Sequence, residues 1–327
     1  MKAGTEAVEV KSLSRLNERG PDDLFICCAS FEERCLSITT KMGADFLTKF
    51  AIIFVVEEPL YQKQVEQNMF RLQTELRKKT TEGIFVISCQ RENPVEGVKQ
   101  LGDILKQCKL QAAGGPFITV DISGFTKIYL LELLHYLAID KDLGIPRILH
   151  TTQKYLPTRL TRGIQQITTV PNYFGSPSPD KDTALVLLLG FEPERALAVW
   201  NQTNPARTIA LITNPPRDGN LDYLKYAKQN NAELLSKPSV EVRDMPADNP
   251  HAIKNMLVKI HEEIQDSYNM VIGPFGTKPQ VVGVFLFCME HHKAQVIYSF
   301  PATYTRSYLR RQPGETLLLP VAPDGIA

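Results

Sequence analysis

The chain has no apolar stretch long enough to cross a bilayer. Its longest runs, Ala184–Leu189 and Val281–Met289, fall well short of the roughly 20 residues a spanning helix needs. The first twenty residues, MKAGTEAVEVKSLSRLNERG, are polar and lack the apolar core of a secretory signal, so a cytoplasmic location is expected. Six cysteines (Cys27, Cys28, Cys35, Cys89, Cys108 and Cys288) show no C-x-x-C spacing. They read as reduced, buried and structural rather than as a redox pair or zinc knuckle. No sign of charge dominates. Lys and Arg total 37 against 36 Asp and Glu, a net charge of +1. That excludes a whole-surface nucleic-acid binder and leaves a local basic pocket open, so extended nucleic acid is the less favoured partner.

Several catalytic and cofactor signatures are missing as well: H-E-x-x-H, G-x-S-x-G, G-x-G-x-x-G and the G-x-x-x-x-G-K-[ST] phosphate loop. Glu290-His291-His292 closes a helical stretch and reads as a polar cap, not a metal site. No metal and no cofactor is expected.

What is present is length and repetition. At about 150 residues per domain, 327 residues make two. The two halves can be laid on each other. Phe31-Glu32 matches Phe191-Glu192, Pro59 matches Pro216, and Asn93-Pro94 matches Asn249-Pro250. Thr126-Lys127 matches Thr277-Lys278, and Tyr155 matches Tyr304. The offset drifts in one direction, from 160 to 149. Anchors in one order with small gaps indicate an internal duplication.

Each half alternates short, apolar, β-branched strands with longer helical stretches. The strands are expected near 24–29, 51–56, 83–88, 117–121 and 146–150, and near 184–189, 207–213, 239–243, 269–273 and 294–299. Continuously apolar strands are buried on both faces, hence parallel. The expected fold is α/β, two tandem Rossmann-like domains with mostly parallel sheets. Each half is expected to end in one more strand of its own, Ile164–Val170 and Thr316–Val321. The Pro/Gly/Ser-rich stretch 172–181 suits a linker. The expected division is therefore an arm over 1–20, one repeat over 21–175 and a second over 176–327.

In such sheets ligands bind beyond the carboxyl ends of the strands, where strand order reverses. The loops after the first and fourth strands usually flank that point. The first-strand loops are Ala29-Ser30-Phe31-Glu32-Glu33-Arg34 and Gly190-Phe191-Glu192-Pro193-Glu194-Arg195. Small residues at these turns let a ligand approach the backbone, and the following helix would offer its amides to an anion. Helix-dipole compensation explains the glutamates equally well. After the fourth strand, half one carries Asp121, Ser123, Gly124, Thr126 and Lys127; half two keeps Gly276, Thr277 and Lys278. Hydroxyls and a lysine at a helix start can hold a phosphate or ribose, while a helix cap with an incidental lysine is the plainer alternative. After the fifth strand come Tyr155 and Arg159 in one half, Tyr304 and Arg306 in the other. Bases stack on such side chains and phosphates pair with arginine, although a solvated basic loop has the same composition.

The run Asp121-x-Ser123-xxx-Lys127 after the fourth strand, with Ser30 after the first, resembles the motif of CARF (CRISPR-associated Rossmann fold) domains. In half two only Lys278 matches; Gly190, Ile272 and Pro274 depart from the pattern. The resemblance implies a cyclic-oligonucleotide ligand, and two fused units are similar to SAVED domains, with the ligand held between two Rossmann-like halves. It also implies a regulatory subunit of prokaryotic antiviral defence acting through a separate effector protein. Two alternatives remain: a scaffold subunit without ligand, and a ring-nuclease-like enzyme using Ser30, Ser123 and Lys127, for which no general base is evident. The chain is therefore expected to sense rather than to catalyse.

Overall fold

The computed structural model describes residues 7–11, 20–43, 46–110, 115–144, 146–154, 159–214, 221–305 and 312–321. The chain forms two compact units, Met1–Lys154 with Leu309–Ala327, and Tyr155–Tyr308. The first unit is built on β1 (Val8–Glu9), β2 (Asp22–Ala29), β3 (Thr48–Val56), β4 (Thr80–Cys89), β5 (Ile118–Asp121), β6 (Arg147–Gln153) and, from the far end of the chain, β13 (Pro313–Leu319). Helices α1 (Gln62–Arg77), α2 (Pro94–Cys108) and α3 (Lys127–Ile139) connect its later strands. Between β2 and β3 the described residues form only 3-10 turns, Glu33–Leu36 and Thr39–Lys41, so no helix of useful length follows the first strand here.

The second unit contains β7 (Thr161–Thr169), β8 (Asp182–Leu189), α4 (Pro193–Thr203), β9 (Arg207–Thr213), α5 (Leu221–Asn230) and α6 (Ala232–Leu235). It continues with β10 (Val240–Met245), α7 (Pro250–Ile264), β11 (Tyr268–Pro274), α8 (Lys278–Glu290) and β12 (Gln295–Tyr304).

The sheet orders are β1-β13-β6-β5-β2-β3-β4 and β10-β9-β8-β11-β12-β7. Read as β4-β3-β2-β5-β6-β13 against β10-β9-β8-β11-β12-β7, the two are the same sheet. In each, five strands are parallel and the sixth is antiparallel. The ten parallel strands fall within a few residues of the expected spans.

The sixth strand corrects the expectation. The strand expected to close half one pairs with β12, and the one expected to close half two pairs with β6. The two halves exchange their last strands, an intrachain form of domain swapping. The reason is local equivalence. The β6 and β12 edges are copies, and an antiparallel strand of matching pattern satisfies either one. The units consequently divide after Lys154 and after Tyr308 rather than at 175/176. In the N-terminal arm, β1 adds a two-residue antiparallel rung to β13.

The central strands show why they are central. Every residue of β2 is buried, as are the last six of β8; such strands carry side chains that need cover on both faces. The outer parallel strands β4 and β10 instead carry exposed and half-buried residues along most of their length. Duplicated capping also holds. Asn93 Oδ1 accepts Glu96 N–H at 3.3 Å at the start of α2, and Asn249 Oδ1 accepts Ala252 N–H at 3.0 Å at the start of α7. Each is followed by proline at a position that needs no amide. All six cysteines are buried and none forms a disulfide. Burial pushes the Cys35 thiol up to about 12 and those of Cys89 and Cys108 up to about 11, which leaves them protonated and unreactive.

Candidate functional site

The sheet order reverses at β2 and β5, which are hydrogen-bonded neighbours, so the loops after the first and fourth strands of unit one meet. Gly124 sets how closely. A Cβ there would stand 2.0 Å from the Cys28 carbonyl oxygen, and only glycine lets the β5 loop lie against the end of β2. In unit two the same closeness is built from the other side: a Cβ on Gly190 would stand 2.5 Å from the Phe275 carbonyl oxygen.

A buried asparagine anchors each first-strand loop. Asn68 on α1 donates to the Ser30 carbonyl at 2.8 Å, and Asn231, between α5 and α6, donates to the Gly190 carbonyl at 2.9 Å. Both are almost fully buried. No motif in the sequence marks this pair, although Asn68 stands out in principle: Val65, Asn68, Leu72 and Leu76 form the buried stripe of α1, and a polar residue on such a stripe has a partner inside. Phe31 and Phe191, the duplicated aromatic anchors, each pack on a tyrosine of the following connection, at ring distances of 4.8 Å (Tyr61) and 4.6 Å (Tyr223).

After β5, Asp121 is buried and its Oδ1 accepts the Ser123 N–H at 2.8 Å. Burial first, and the Asp121 carboxylate second, push the Cys27 thiol well up. The Ser123 hydroxyl accepts the Thr151 N–H at 2.7 Å and has no exposed surface, so it ties β5 to β6 instead of facing a ligand. From Thr151 the network runs to Thr316 of β13, hydroxyl to hydroxyl at 2.9 Å, and Lys41 donates to the same Thr316 hydroxyl at 2.8 Å. Ser30 accepts the Glu32 N–H at 3.3 Å. Glu32 pairs with Arg34 at 2.9 Å and accepts from Gln153. Thr126 takes the N-cap position of α3 with extended dihedrals, makes no side-chain cap bond, and its Oγ1 is buried without a hydrogen-bond partner. Lys127 follows it, half-buried, as the first residue of α3.

The corresponding turn of unit two is satisfied. Thr277 caps α8 in a capping box with Gln280. Its N–H donates to Gln280 Oε1 at 2.8 Å and its hydroxyl donates to the Ala247 carbonyl at 3.1 Å. Lys278 is buried. Arg159 lies at the surface of unit two, 3.1 Å from Glu194, and Tyr304 is half-buried at the end of β12 opposite Thr161. Glu192 accepts the N–H groups of Leu160 and Thr161, at 3.0 and 3.1 Å, and the Thr161 hydroxyl, so it holds the start of the exchanged strand. Arg195 is buried between the rings of Phe275 and Tyr298, 5.4 and 4.9 Å from their centroids. Tyr155 and Arg306 lie outside the described residues.

Unit one therefore brings together Ser30, Asp121, Ser123, Gly124, Thr126 and Lys127 at one edge, while Arg159, Thr277, Lys278 and Tyr304 belong to unit two. Among the described residues no cluster of metal-ligating side chains occurs and no helix is long and apolar enough to cross a membrane.

No protein-family model matches the chain, and no curated protein matches it. Among solved structures it is similar to one described as a Type III CRISPR defence DNA nuclease activated by cyclic oligoadenylate. The TM-score is 0.51 at 11% identity, over 85% of this chain and 65% of that one, so the chain spans about two thirds of that structure's length. At this identity the likeness is one of fold: two sheets of mostly parallel strands with helical crossovers. A second match, the cytoplasmic domain of a prokaryotic cation chloride cotransporter, covers 86% of this chain and 96% of that one at 11% identity; its TM-score of 0.24 carries no argument.

Proposed function

We propose that this protein binds an anionic nucleotide of the cyclic-oligonucleotide class at the carboxyl edge of its first sheet. It then passes the event to a separate effector protein in antiviral defence. The observation that carries this reading is the uncapped turn at α3. The helix start offers amide groups and the positive end of its dipole. Thr126 there has a hydroxyl without a partner, and Lys127 supplies a cation at the same turn. A phosphoryl oxygen entering the turn would provide the acceptor that the protein itself does not. The motif around Asp121, Ser123 and Lys127, together with the fold likeness to a nuclease activated by cyclic oligoadenylate, supports the ligand class. Sensing is preferred to cleavage because the Ser123 hydroxyl is committed to Thr151 inside the sheet, where it cannot position a ribose.

Titration calorimetry with cyclic oligoadenylates of several ring sizes tests the proposal. The wild type binds at least one ring, and Lys127→Ala weakens it by about 10- to 100-fold, the worth of a charge-assisted contact. Absence of binding to every ring refutes the sensor. Recovery of shortened linear products after incubation would replace sensing by ring cleavage.

A further inference from the structure

The two halves carry the same Gly-Thr-Lys turn or its counterpart, yet they differ in what fills it. In unit two the filling group is Gln280, three residues beyond Thr277 and fully buried. Its Oε1 accepts the Thr277 N–H at 2.8 Å, while its Nε2 donates to the Thr213 hydroxyl at 2.8 Å and to the Pro246 carbonyl at 2.9 Å. The carboxamide lies directly over the glycine of the turn: a Cβ on Gly276 would come within 1.9 Å of Gln280 Oε1. In unit one the residue three beyond Thr126 is Tyr129. Its hydroxyl donates to the carbonyls of Gln90 and Asn93, so it leaves the Thr126 turn alone. Gln90 and Pro246 sit at corresponding places, each three residues before a duplicated Asn-Pro cap. One side-chain position thus makes the same cross-bond in both halves, and in unit two it also blocks the turn.

We infer that Gln280 is a built-in occupant of the second turn, so that of the two copies only the α3 turn takes a phosphoryl group. Gln280 then determines specificity: the protein reads an anionic ligand through one half, and the duplicated turn in the other half serves structure alone. A phosphoryl oxygen at Thr277 would have to expel a carboxamide and strand the buried partners it satisfies, a penalty the α3 turn does not carry. For the α3 half this rests on the reading above.

The test follows the threonine amides of the full chain. Protein labelled with 15N-threonine is titrated with inorganic phosphate and with adenosine 5′-monophosphate, the Thr126 and Thr277 signals being assigned through Thr→Ser variants. In the wild type the Thr126 amide shifts saturably and the Thr277 amide stays in place. In Gln280→Tyr, which installs the side chain unit one uses and keeps a donor for the Pro246 carbonyl, the Thr277 amide becomes responsive. Gln280→Ala opens the same turn by truncation. Wild-type titration of both amides overturns the inference and leaves the sensor reading standing. If neither amide moves in the wild type, the inference is overturned at the α3 turn, while the ring titrations decide the sensor reading separately; a folded Gln280 variant whose Thr277 amide ignores both probes overturns it at the second turn.

Discussion

Replacing Asn68 by alanine removes the anchor of the first-strand loop without touching any surface. The side chain is fully buried, donates to the Ser30 carbonyl at 2.8 Å and accepts from Gln64 at 3.3 Å. Without it, the Ser30 carbonyl keeps the Cys35 thiol at 3.6 Å, a weak donor. Stripping a buried acceptor costs about 1–3 kcal/mol, and the void left by the carboxamide adds about 1 kcal/mol. An expected loss of about 2–4 kcal/mol lowers the melting temperature of a unit of this size by about 4–16 °C. Thermal and urea unfolding followed by circular dichroism measures it, with Gln67→Ala as control: that residue is exposed on the same helix and its truncation should stay within about 0.5 kcal/mol. Asn231→Ala should behave like Asn68→Ala, because it strips the Gly190 carbonyl of the same bond. With the two sites in separate units, the losses should add within about 0.5 kcal/mol. If Asn68→Ala unfolds together with Gln67→Ala, the anchor is not an anchor, and the argument that α1 positions the Ser30 loop collapses with it.

Three further outcomes follow from the same packing. Gly124→Ala drives a methyl to 2.0 Å from the Cys28 carbonyl oxygen, so the β2 and β5 loops must part; the expected loss exceeds about 3 kcal/mol, and a variant of wild-type stability in urea would show that the loops are not held together. The six thiols should resist an aromatic disulfide reagent at pH 8 in the native protein and all react in denaturant, since all are buried and burial raises the pKa of Cys27, Cys35, Cys89, Cys108 and Cys288; fast native labelling of any of them contradicts that. His261 packs on His291 at a ring distance of 4.7 Å, and burial, then the His291 charge, lowers its pKa below 6.5. The unfolded chain therefore takes a proton first as pH falls through 6.5, and stability declines from there until the folded protein also protonates. His261→Gln should flatten that part of the pH–stability curve, and an unchanged slope would rule the histidine out as its source.

The elements were legible because they are local. Continuously apolar strands such as Leu24–Cys28 and Ala184–Leu189 need cover on both faces wherever they fold, and the Asn-Pro pairs at 93–94 and 249–250 supply helix starts from their own chemistry. The run from Asp121 to Lys127 could be read as a motif, but its geometry could not. That the Ser123 hydroxyl faces into the sheet depends on Thr151, 28 residues away.

By itself, the sequence determined two copies of one α/β unit and the order of their parallel strands and helices along the chain. Tertiary structure alone decided which sheet receives each sixth strand, which half keeps an open turn, and which asparagines hold the first loops. In each case the deciding partner is distant in sequence. Asn68 lies 38 residues from Ser30, Asn231 lies 41 from Gly190, and Gln280 reaches 67 residues back to Thr213. A duplication also makes such choices ambiguous in principle: two copies of one edge present the same backbone groups and the same apolar pattern to a strand. Only the folded path of the chain selects between them.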